Sequence, residues 1–113
     1  MNNDYELILA IVDSGFAEEV MDVAREQGAR GGTIINARGV AREKAAEFFG
    51  ITLHTEKEIV LIVVPKTIKD AVLNAIYKEM GMDKKARGIA FSLPVTDTAG
   101  LVETEEKNQE IAE

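Results

Sequence analysis

The amino-acid sequence predicts an α+β domain with the element order βαββαβ, and three observations carry that expectation. Nearly continuous apolar runs stand at Tyr5–Asp13 and Lys57–Val64, two other stretches repeat apolar residues at helical spacing, and glycine or proline closes most of these segments. At 113 residues the chain is long enough for one domain with a single modest core.

The elements follow in order. Tyr5 to Asp13, YELILAIVD, reads as a central strand ended by Asp13-Ser14-Gly15. Phe16, Val20, Val23, Ala24 and Gln27 then recur with the period of a helix, with Ser14 as the expected N-cap and Gly28 as the stop. Gly32 to Ala37 is the second strand, and Lys57 to Val64 the third, closed by Pro65. Thr67 and Asp70 have the spacing of a capping box, opening a second helix whose buried face is Ile68, Val72, Ala75, Ile76 and Met80. Gly81 to Lys85 is a turn, Arg87 to Val95 the fourth strand, and the acidic residues from Glu103 form a frayed tail. This order packs naturally as a four-stranded antiparallel sheet with both helices on one face, the ferredoxin-like arrangement. Strands one and three are apolar at almost every position, so the face without helices would set Ile, Leu and Val against water. Association through the sheet is therefore expected.

Composition narrows the function. The net charge is −7, from 20 acidic and 13 basic residues, which leaves too few cations to neutralise a duplex phosphate surface. Nucleic acid is not expected as a partner. The absence of cysteine excludes thiolate metal sites, disulfides and thiol catalysis. No window approaches the roughly 20 apolar residues of a membrane helix, and MNNDYE is no leader, so a cytoplasmic chain without membrane insertion is expected.

Against the acidic background, Arg25, Arg30, Arg38, Arg42 and Lys44 form a cationic strip opposed only by Glu26 and Glu43. It overlaps the segment GARGGTIINARG, Gly28 to Gly39, in which glycines flank a strand. Such a combination fits recognition of phosphate or carboxylate.

The stretches GARGGTIINARGVAREK and KEIVLIVVPKTIKDAVLNAI, with the element order, resemble the P-II family of nitrogen-regulatory signal proteins across Tyr5 to Val95. Gly31-Gly32-Thr33 and Arg38-Gly39 occupy the places of that family's Gly, Gly-x-Thr and basic-Gly features, and Arg42 falls where the family carries an arginine. The resemblance implies a homotrimer with three inter-subunit clefts, each binding ATP or ADP, with Mg as a possible companion. It also implies a loop, Val40 to Glu56, that docks on a target protein, whether transporter, enzyme or transcription regulator, in nitrogen metabolism. Gly31, Thr33, Arg38, Gly39 and Arg42 would contact the nucleotide, with Arg42 offering a forked donor to phosphate oxygens. Lys84, Lys85, Arg87 and Gly88 would approach the phosphates, in place of the family's glycine-rich loop ending in Gly-Lys.

Three departures are visible. The loop is several residues shorter than in typical members and lacks the tyrosine that is a uridylylation target, Phe48 and Phe49 being its only aromatics. Glu43 replaces a glutamine that helps hold a metal and 2-oxoglutarate. The arginines that clamp phosphates from the neighbouring subunit are absent from Thr98-Ala99-Gly100-Leu101-Val102-Glu103.

Phe48 and Phe49 are candidate docking anchors. His54 with Glu56 or Glu58 has no recognisable metal-ligand spacing, and Glu43, Glu47 and Glu56 lack a nucleophile and an orienting partner, so no enzyme activity is expected. The alternative function is a metal- or small-anion-binding trimer of the same fold, resembling the CutA family or an offshoot that does not use ATP.

Overall fold

In the computed structural model, which describes residues 4–41, 53–82 and 88–101, six elements appear in the order β1 (Tyr5–Asp13), α1 (Ala17–Glu26), β2 (Thr33–Ala41), β3 (Leu53–Pro65), α2 (Lys66–Glu79) and β4 (Gly88–Val95). All neighbouring strands are antiparallel, in the order β2-β3-β1-β4. This is the expected ferredoxin-like sheet, with the two longest apolar runs at its centre.

Side chains alternate across the sheet, and the helices cover one face only. Ile8, Ala10 and Val12 of β1 and Val60, Ile62 and Val64 of β3 are buried with Val20, Met21 and Ala24 of α1 and Val72 and Ile76 of α2. The predicted stripe of α2 is met by Val72 and Ile76, while Ile68 and Met80 pack against the core partly buried. The opposite face carries three cross-strand rows of apolar side chains: Val63–Leu7–Leu93, Leu61–Leu9–Phe91 and Ile59–Ile11–Ile89. Among the described residues no helix covers them, and Ile89 is 57% and Leu93 45% exposed.

Both helices stop for the same local reason. The N–H of Ala29 donates to the carbonyl of Ala24 at 3.1 Å and that of Gly28 to Arg25 at 3.0 Å, with Gly28 at φ +111°. Met82 to Tyr77 at 3.1 Å and Gly81 to Lys78 at 3.2 Å repeat the pattern, with Gly81 at φ +70°. These are Schellman caps, in which glycine takes the left-handed position at no steric cost.

The helix starts differ from expectation. Phe16, not Ser14, is the N-cap of α1, and no side chain of its own turn caps it. Glu58 of β3 does so instead: its Oε1 accepts from the N–H of Gly15 at 2.9 Å and of Ala17 at 3.1 Å. The capping box at Thr67 and Asp70 does not form either, because α2 begins at Lys66 behind Pro65, placing Thr67 inside the first turn. The Asp70 carboxylate takes Lys69 Nζ at 2.8 Å.

Strand limits also shift. β2 continues to Ala41 and β3 starts at Leu53, pairing Arg38 with Glu56, Gly39 with Thr55, Val40 with His54 and Ala41 with Leu53. The expected loop 40–56 thus surrenders both its ends to the ladder. β4 is described from Gly88 to Val95; the expected start at Arg87 lies outside the described residues.

Candidate ligand-binding site

The segment between α1 and β2 is built by its end points. Gly28 ends the helix, buried Ala29 anchors the chain beneath it, and Arg30 to Gly32 run exposed into β2. Gly32 is forced by packing: a Cβ there would stand 2.8 Å from the Leu61 carbonyl oxygen and 2.8 Å from Met21 Sδ. Gly31 is different. Among the described residues nothing lies within 4 Å of the place its Cβ would take, and its φ is not positive. The described residues give no packing reason for a glycine there.

Thr33 opens β2 opposite Leu61 and is exposed, at the end of the Leu61–Leu9–Phe91 row. Arg38, also exposed, pairs with Glu56 where β2 and β3 leave the body of the sheet. Here a shallow hollow is lined by Ser14, Asn36, Ala37, Arg38, Glu56 and Lys57. Lys57 Nζ donates to Asp13 Oδ1 at 2.7 Å, and because successive strand residues point to opposite faces, this pair lies across the sheet from the Arg38–Glu56 row. Gly39 sits beside it, half-buried; a Cβ there would meet Lys57 Cε at 3.1 Å.

Gly88 lies on the other side of the molecule. It pairs with Val12, and a Cβ on it would collide with the Ile11 carbonyl oxygen. With strands about 4.8 Å apart, the order β2-β3-β1-β4 puts β3 and β1 between the β4 residue and the β2 group. The predicted residues therefore divide into one set on the β2 edge, Gly31, Thr33, Arg38 and Gly39, and one, Gly88, on the β4 edge. A single chain does not unite them. Arg42, Phe48, Phe49, Lys84, Lys85 and Arg87 lie outside the described residues, as do Glu43 and Glu47.

His54 takes its place in β3 opposite Val40, and no cluster of three potential metal-ligating side chains occurs among the described residues. What sequence reasoning misses is the role of Glu58 as the cap of α1. Its signal was the charged pair Lys57-Glu58 at the head of an otherwise apolar strand, which alternation sends to opposite faces.

Residues 5–106 match the family described as Nitrogen regulatory protein P-II. No curated protein sequence matches the chain closely enough to count as a relative. Among solved structures, Bacillus subtilis GlnK in its ATP complex is similar at TM-score 0.69 and 18% identity, over 87% of this chain and 87% of that one. Arabidopsis thaliana PII bound to citrate is similar at TM-score 0.65 and 25% identity, over 86% and 80%. CPII of Thiomonas intermedia K12, a nitrogen regulatory PII-like protein bound to ADP, AMP and bicarbonate, is similar at TM-score 0.62 and 12% identity, over 86% and 96%.

Proposed function

Because the chain belongs to the P-II family of nitrogen regulatory proteins, we propose that it is a homotrimeric regulator that binds an adenine nucleotide in clefts between subunits and transmits its state to a partner protein. The observation that carries this reading is the separation of the expected ligand residues. Gly31, Thr33, Arg38 and Gly39 lie on one edge of the sheet and Gly88 on the other, so a cleft that uses both edges needs a second copy. The uncovered apolar rows supply a reason for copies to associate, since burying apolar surface is the main favourable term in such contacts.

In this reading Gly31 lets the backbone approach the nucleotide, Thr33 offers a hydroxyl, and Arg42 holds phosphate oxygens in its fork. Lys84, Lys85 and Arg87 add charge beside Gly88. The partner meets the segment between Ala41 and Leu53, with Phe48 and Phe49 as anchors. Nucleotide acts by population shift, favouring the loop arrangement with which it makes better contacts. ATP in the complex with Bacillus subtilis GlnK and ADP and AMP in that with CPII support an adenine nucleotide as the ligand class here.

Calorimetric titration with ATP, ADP and AMP, each with and without magnesium, tests the reading. Micromolar binding that is lost in Arg42→Ala is expected; no heat with any nucleotide would contradict it.

A further inference from the structure

We propose that Glu58 is a positioning residue that couples the β2–β3 arm to helix α1, so that order in either supports order in the other. β1 ends at Asp13, opposite Lys57. Beyond that row β3 pairs with β2 alone, from Arg38–Glu56 to Ala41–Leu53. A two-stranded ribbon has little stability by itself, so what holds its root decides how it stands.

Three successive β3 residues grip the β1–α1 turn at that root. The carbonyl of Glu56 accepts from the N–H of Ser14 at 3.1 Å. Lys57 Nζ donates to Asp13 Oδ1 at 2.7 Å on the open face. On the helix face, Glu58 Oε1 takes the N–H groups of Gly15 and Ala17 at 2.9 and 3.1 Å. Because Lys57 and Glu58 point to opposite sides, the turn is held from both.

The chemistry makes Glu58 the member that reaches the helix. The first N–H groups of a helix have no partner within it, and α1 has no side-chain cap from its own turn. A carboxylate there both accepts hydrogen bonds and meets the positive end of the helix dipole. The cap of α1 is thus carried by the strand that carries the arm. Turning β3 at 56–58 withdraws the cap, and fraying of the first turn of α1 releases the arm's root. Such a coupling is reciprocal by linkage, and it holds whatever fills the proposed cleft.

Residue-resolved amide hydrogen exchange on the full chain, in Glu58→Ala and Glu58→Gln, tests it. In Glu58→Ala, exchange is expected to rise at least fivefold both in Ala17–Val20 and in the arm, residues 38–41 and 53–56, while Ile8–Ala10 and Val60–Ile62 keep their rates. Glu58→Gln, whose amide oxygen still accepts, falls between the two. Faster exchange in α1 with an unchanged arm would overturn the proposal, leaving only a local cap. A uniform rise that includes the central strands would overturn it too, because it reports loss of global stability.

Discussion

Gly39 and Lys57 share one small space on the sheet. A Cβ on Gly39 would stand 3.1 Å from Lys57 Cε and 3.2 Å from its Cγ, the stem by which Lys57 reaches Asp13. A side chain at 39 therefore requires the lysine stem to give way. Since the stem is flexible, Gly39→Ala is expected to shift Lys57 and weaken an ion pair that is 26% and 35% exposed. Such pairs contribute about 1 kcal/mol or less. Urea unfolding checks this, and a loss several times larger would show that the alanine disturbs the backbone instead.

Gly31 and Gly88 should separate stability from binding. At Gly88 the obstacle to a Cβ is the Ile11 backbone, which cannot swing aside, so Gly88→Ala is expected to cost roughly 1–3 kcal/mol, the range of an overpacked core. Gly31→Ala meets no atom of the described residues and should leave the unfolding midpoint almost unchanged. Its effect should appear in nucleotide titration as weaker binding.

The core gives a reference scale. Ile62 is fully buried at the centre of the sheet beneath both helices, and truncation of such a residue to alanine costs about 2–5 kcal/mol. Ile62→Ala should fall in that range by denaturant unfolding, well above Gly39→Ala.

The apolar face predicts an assembly defect without a folding defect. Phe91 is 38% exposed in the single chain, in the row of Leu9 and Leu61. Phe91→Glu should therefore cost the folded subunit little while placing a charge where copies meet, a burial that is strongly unfavourable when unpaired. Sedimentation velocity should show the wild-type chain as a trimer and Phe91→Glu as a monomer with native circular dichroism.

The fold was legible because its signals are local. The apolar runs of β1 and β3 and the stops at Gly28 and Gly81 each act within a few residues. What escaped were long-range bonds. Ser14 has the right chemistry for an N-cap, yet the cap comes from Glu58, forty-odd residues away in sequence, through the β1–β3 register. At the ends of β2 and β3, Arg38, Gly39 and Glu56 break the apolar alternation that marks a strand in the sequence, whereas ladder hydrogen bonds between paired backbones sustain the strands there. For the site, the sequence marked glycines and cations but not their distribution. Only the strand order shows that Gly88 stands on the edge opposite Gly31, Thr33, Arg38 and Gly39, and only the packing shows that backbone atoms of the chain itself already account for Gly32 and Gly88.

Native mass spectrometry of the protein with ATP tests assembly and ligand together. A trimer carrying up to three nucleotides, losing them but not its trimeric mass in Arg42→Ala, is the expected result. A trimer that retains no nucleotide at any ATP concentration, or nucleotide carried by the monomer, would contradict a ligand held between subunits.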